Sequence, residues 1–142
     1  MKEQNVKNHV RFHPPYHYVS ISLVLAGLIG SIVNVFRSNP EGLYSALLIL
    51  LLYVIVVFLL YFTRIYALRA QDRAIRAEEA LRHLILTGKP LDPRLRMGQI
   101  IALRFASDDE FPSLALRAAE ERMKSQQIKE AIRNWRGDYY RI

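Results

Sequence analysis

The chain has 142 residues, of which 51% are hydrophobic, with no cysteine and a net charge of +7. No disulfide, thiolate metal site or cysteine nucleophile can be built from it. Its apolar residues are concentrated rather than spread, which leaves about 80 residues for any water-soluble core, near the lower limit for a unit that folds alone.

Segment 1–17 carries Lys2, Lys7 and Arg11 against Glu3. His9, His13 and His17 recur every four residues, a spacing that would make a metal-binding face on a helix. Pro14-Pro15 interrupts such a helix and predicts extended geometry, so the segment reads as an interfacial lead into a membrane span.

Residues 18–63 predict a transmembrane hairpin. The first span, Tyr18–Phe36, has nineteen uncharged residues, roughly 28 Å of helix and just enough to cross. Its length and the lack of an A-x-A-like site before Arg37 disfavour a cleaved signal peptide. The span has a small-residue face, with Ala26 and Gly30 four apart, Gly27 and Ser31 four apart, and Asn34 a turn further. Such spacing lets helix backbones approach closely in lipid. The face serves either packing against the second span, with Tyr53 over Gly27, or a subunit interface or pore lining.

Arg37-Ser-Asn-Pro-Glu-Gly42 is turn chemistry. The second span, Leu43–Thr63, is also uncharged, and the run Leu43–Thr87 contains neither glycine nor proline. That run predicts one helix, roughly 65–70 Å long, that leaves the bilayer as an arm. Arg64, Arg69 and Arg73 follow the second span, whereas Arg37 is the lone basic residue between the spans. With the N-terminal cations, this places both termini in the cytoplasm. Tyr16, Tyr18, Tyr61 and Phe62 mark one interface, and Phe36 and Tyr44 the other. Neither span holds an ionisable Asp, Glu, Lys, Arg or His within it, which argues against a proton-coupled pump.

Beyond Arg64, residues 64–142 form the predicted cytoplasmic part, with sixteen basic and eleven acidic side chains. Ala67, Ala70, Ala74, Ala77, Leu81 and Leu84 follow a 3-4-3-4 spacing, a seam with small residues near the membrane and larger ones farther out. The seam packs either on the chain's own C-terminal helices or on another copy. Asp72–Arg76 and Glu78–Arg82 are set as i,i+4 pairs. Thr87-Gly88-Lys89-Pro90 predicts a glycine stop. It is not a phosphate loop, because His83 and Pro90 stand where glycine and a hydroxyl are needed. His83 reads as a surface or packing residue.

Three short helices follow. Arg94–Ala106 presents Leu95, Ile100, Ile101, Leu103 and Phe105. Ser107-Asp-Asp-Glu-Phe-Pro112 predicts a helix start with Asp108, Asp109 and Glu110 serving the dipole, and this helix runs to about Lys124 with Leu114, Leu116, Ala118, Ala119 and Met123. Gln126–Arg136 carries Ile128, Ile132 and Trp135 on one face. Two helices joined by a short turn evoke a DNA-reading motif, but three carboxylates there would repel phosphate. In the C-terminal stretch, Trp135 and Ile142 are read as completing a small helical core. No catalytic constellation emerges.

Asn8-His9, Pro14-Pro15-Tyr16-His17, Tyr66-Ala67-Leu68, Gln71-Asp72-Arg73, the stretch from Gln99 to Asp108, Trp135-Arg136 and Asp138-Tyr139 resemble a family of small bacterial inner-membrane proteins of unknown function. The resemblance covers nearly the whole chain and is most specific over Gln99–Asp108. It implies a two-span protein with a cytoplasmic helical tail, and brings no catalytic or binding residues.

The reading is therefore an all-α chain: a transmembrane helical hairpin whose second span continues into a long cytoplasmic helix, followed by a small C-terminal helical domain. The function expected is non-enzymatic, as a self-assembling scaffold or partner-docking module in the inner membrane, with no cofactor, no metal ligands and no nucleic acid. The alternative is a homo-oligomeric channel lined by Ser20, Gly27, Ser31 and Asn34.

Overall fold

The computed structural model describes residues 14–138. The sequence readings at Lys2, Glu3, Lys7, Asn8, His9, Arg11, His13, Tyr139 and Ile142 lie outside them. The described residues are all-helical, apart from one isolated bridge, and divide into two compact units, Phe12–Ala67 and a second containing Leu68–Ile142.

In the first unit, a π-helical turn, Pro15–Ser20, leads directly into α1, Ile21–Arg37. The prediction of extended geometry at Pro14-Pro15 is corrected here, since Pro14 is helical at φ −56° and ψ −45°. At a helix start the missing proline N–H has no partner to lose, and the ring holds φ near the helical value. The wide turn is closed by the Ile21 N–H donating to the Tyr16 carbonyl, five residues back. Arg37 ends α1 because Ser38 turns extended, at ψ 138°, and Asn39 precedes a proline. A tight turn follows, with the Gly42 N–H donating to the Asn39 carbonyl at 2.9 Å.

The helix α2 runs Leu43–Thr87. Two helical stretches, Pro15–Arg37 and Leu43–Thr87, are long and apolar enough to cross a membrane. Within the hairpin, the Tyr16 hydroxyl donates to the Leu60 carbonyl at 3.1 Å, and the Arg64 guanidinium lies 5.7 Å from the centre of the Tyr16 ring. Phe58, Phe62 and Tyr66 stack in succession along α2.

The predicted stop of α2 is present. Gly88 sits at φ 68°, in the left-handed region that glycine favours. The Thr87 hydroxyl donates to the His83 carbonyl and accepts from the Lys89 N–H, and His83 Nδ1 donates to the Lys89 carbonyl at 2.9 Å.

The remaining helices are α3, Met97–Leu103, α4, Phe111–Glu120, and α5, Ser125–Ala131. All three are shorter than predicted. Asp92 accepts from the Arg94 N–H in a side-chain turn that delays α3. At the far end of α4, the Met123 N–H donates to the Ala118 carbonyl while Arg122 takes φ 51°, a Schellman stop. After Ala131 the chain turns extended at Ile132, with ψ 124°. Trp135 is therefore not helical, as predicted, but bridged antiparallel to Ala106. There the Arg136 N–H donates to the Phe105 carbonyl at 2.8 Å and the Ser107 N–H to the Asn134 carbonyl at 3.2 Å. Backbone pairing to a segment thirty residues earlier overrides local helical tendency.

Ile100, Leu103, Phe105, Phe111 and Ile128 are the largest side chains removed from solvent, and Trp135 stacks on Phe105 at 4.9 Å. Trp135 thus packs against the small core. On α4 the buried stripe is Phe111, Leu114, Ala115, Ala118 and Ala119, which leaves the predicted core residue Leu116 exposed and Met123 only partly covered. Gln99 ties this core together. Its Oε1 accepts from the Arg96 N–H, and its Nε2 donates to the carbonyls of Ala118 and Met123 at 3.0 and 2.9 Å, so both donors and the oxygen of a buried amide are engaged.

Candidate functional site

The predicted small-residue face of α1 is two faces. Gly27 lies under the Tyr53 ring so closely that a β-carbon there would overlap it. Ser31 shares that side, is 3% exposed, and donates its hydroxyl to the Leu28 carbonyl. On α2, Ala46 is buried too. Ala26, Gly30 and Asn34 point elsewhere and are exposed, and a β-carbon on Gly30 would meet nothing within 4 Å. The residues fall apart because i,i+4 pairs starting at adjacent positions are roughly 100° apart on a helix.

The seam is open. Ala67, Ala70, Ala74, Ala77, Leu81 and Leu84 are all exposed, with Leu81 at 58% and the neighbouring Ile85 at 74%. In the unit beginning at Leu68, α2 meets its own C-terminal helices through a different face. Ile75 and Glu79 are buried there, with Arg82 and His83 alongside. At 3.6 residues per turn the two stripes lie roughly 150° apart. The alanines of the seam thus lie away from the buried stripe, whereas Leu81 and Leu84 border a concavity shared with Leu91, Pro93 and Ile100. The C-terminal helices present charged and aromatic partners to the buried stripe, and alanines offer them little to hold.

That other stripe centres on a polar node that spacing did not reveal. Arg82 Nη1 donates to Glu79 at 2.9 Å, Nε donates to Asp108 Oδ1 at 2.7 Å, and Nη2 donates to the Ala106 carbonyl at 2.7 Å. The guanidinium lies 4.5 Å from the centre of the Phe111 ring, whose edge also meets His83. The predicted Glu78–Arg82 pair is replaced by Glu79–Arg82, because Arg82 turns inward to a partner twenty-six residues ahead. Among the described residues, no ion pair joins Asp72 to Arg76. Burial pushes the Glu79 carboxyl above its usual range, against the lowering influence of Arg82.

The three acids before α4 also differ from expectation. None lies in the first turn of α4, and Glu110 makes no capping bond. Asp108 binds Arg82, and Glu110 accepts from the backbone N–H groups of Arg133 and Asn134 at 3.1 and 3.0 Å. These carboxylates therefore fasten α2 and the C-terminal segment to the start of α4 rather than offset a dipole. Arg104, 6% exposed, pairs with Asp138 at 3.2 Å and lies over Phe105. A run of acids beside helix-breaking residues was the available signal; their partners, far along the chain, were not legible.

No curated protein and no solved structure matches the chain. Residues 1–142 match, end to end, the profile described as Family of unknown function (DUF6526), and the chain belongs to that family.

Proposed function

We propose that this is a non-enzymatic protein of the bacterial inner membrane, two-pass with both termini cytoplasmic, that self-assembles through the cytoplasmic part of α2. The observation that carries the reading is the exposed seam, Ala70 to Leu84, which lies on a different face of α2 from the buried Ile75 and Glu79. Apolar stripes of this kind on a water-exposed surface mark contact sites. The basic residues Arg64, Arg69 and Arg73 after the second span, against Arg37 alone between the spans, support the orientation.

The flanking charges favour two parallel copies. With alanines and leucines at the a and d positions, Arg73 takes a g position and Glu78 an e position. In a parallel pair, Arg73 then faces Glu78 of the partner subunit, twice by symmetry. Both side chains are exposed, and neither has an ion pair among the described residues. The channel reading asks Gly27 and Ser31 to line a pore, whereas both pack within the hairpin.

The test is the mass of the detergent-solubilised particle. An oligomer is expected, shifted to monomer by R73E and restored by R73E/E78R. Replacing Leu81 and Leu84 with glutamate should also disperse it. A wild-type particle that is strictly monomeric overturns the proposal.

A further inference from the structure

A second surface, unrelated to the seam, gathers positive charge. Arg94, Arg96, Arg122 and Lys124 line one concave cavity of about 830 Å³, and Glu120 is the lone carboxylate among its lining residues. Arg94 is already engaged, since its Nε and Nη2 donate to Asp92 at 3.0 and 2.7 Å. The side chains of Arg96, Arg122 and Lys124 make no ion pair among the described residues. Three uncommitted cations thus face one concavity. Among the lining residues, Gly98 lets the Ser125 hydroxyl come close, because a β-carbon at Gly98 would lie 2.9 Å from Ser125 Oγ.

Arg122 adds a separate observation. It is the one non-glycine residue at positive φ among the described residues, at the position of a Schellman stop where glycine is the ordinary choice. An arginine there costs backbone strain and contributes no ion pair or core packing. Strain of this kind persists where the side chain has a use, and this side chain lies on the cavity wall.

We propose that this cavity binds a phosphate-type oxyanion, either a free di- or monophosphate or the head group of an anionic lipid. Arg96 and Arg122 bring planar forks that match phosphate oxygens, Lys124 brings a mobile point charge, and Ser125 a neutral donor. The concave wall focuses their field, while the exposure of all three cations makes the affinity salt-dependent.

The experiment uses the full chain in phosphatidylcholine nanodiscs, titrated with pyrophosphate by calorimetry at low ionic strength. Saturable single-site binding is expected, weakened about tenfold or more by R96A/K124A, since two charge-assisted contacts are lost. R122G should weaken binding while raising the unfolding temperature, because it relieves the strained backbone. The pair R117A/R133A, which removes equal charge at exposed residues that do not line the cavity, should leave binding unchanged. Absence of saturable binding, or equal weakening by R117A/R133A, overturns the proposal. Repeating the titration in phosphatidylglycerol nanodiscs separates the sources. Loss of pyrophosphate binding there identifies the head group as occupant, and retained binding identifies free phosphate.

Discussion

The two units of this molecule obey opposite rules. In the unit Phe12–Ala67 the large apolar side chains lie outside: Leu23, Ile29, Leu51, Leu52, Phe58 and Leu59 are all more than half exposed. What it hides is small or polar, namely Gly27, Ser31, Ala46 and half-buried Tyr53. In the unit containing Leu68–Ile142, Phe105, Phe111, Ile100 and Ile128 are at most 1% exposed, and the surface is charged. Apolar burial drives the second kind of packing. With the hairpin placed in a bilayer, as proposed above, the first kind gains nothing from hiding leucine, because lipid solvates leucine as well as a protein interior does. It depends instead on close backbone approach and on the fit of one ring over one glycine.

The contrast breaks most visibly if the helical unit loses an aromatic. F105A should cost about 3–5 kcal/mol by opening a cavity beneath Trp135. The loss should appear as early unfolding in Trp135 fluorescence, with helical content of the hairpin unchanged by circular dichroism in detergent. Next comes the polar node. R82M should cost about 3 kcal/mol, because Glu79 is left buried without its cation. E79Q in the same background should recover much of that, and no recovery would mean that the arginine acts mainly through Phe111.

In the hairpin, G27L should cost about 1–3 kcal/mol by driving a side chain into Tyr53. Unfolding in mixed micelles of rising SDS content measures this, and Y53A should rescue it. The matched change G30L meets no neighbour in the chain and should be neutral to hairpin stability. A large effect of G30L on oligomer mass alone would move the α1 outer face into the assembly.

The smallest effect concerns pH. Glu79 has its folded pKa raised from 4.5, chiefly by burial, so the folded form holds the proton more tightly than the unfolded one. Its contribution is complete below pH 4.5 and is lost as pH rises through the raised value. Asp92 runs the other way. Arg94 pulls its carboxyl down from 3.8 to about 2, so its contribution is present above 3.8 and lost as pH falls through about 2. E79Q should flatten the decline in stability of the helical unit above pH 4.5 and leave the acid limb in place. A decline that persists in E79Q would assign it to another group.

The two apolar helices were legible from sequence because length and composition are local properties: two uncharged runs with a turn at Asn39-Pro40 between them. Gly88 was legible because a left-handed stop is a local demand. The C-terminal helices were foreseen in number but not in extent. Whether Trp135 is helical depends on Phe105 and Ser107, and whether Asp108 and Glu110 cap a helix depends on Arg82 and Arg133. Those are long-range pairings, and periodicity carries no record of them. On α1 the spacing was read correctly as small-xxx-small, but adjacent pairs were merged into one face that helical geometry splits in two.

The bridge between Ala106 and Trp135 has a consequence for how the helical unit comes together in time. Helices α3, α4 and α5 can each form from neighbouring residues, whereas the bridge must gather two strands of chain separated by both α4 and α5, at a loop-closure cost that only docked helices can offset. Closure is therefore expected to be a late event. On a ribosome, the segment ending in α4 would wait as loosely joined helices until Trp135 had been synthesised and released from the exit tunnel. That indole, stacked on Phe105, acts as a clasp whose fluorescence would date the moment of completion.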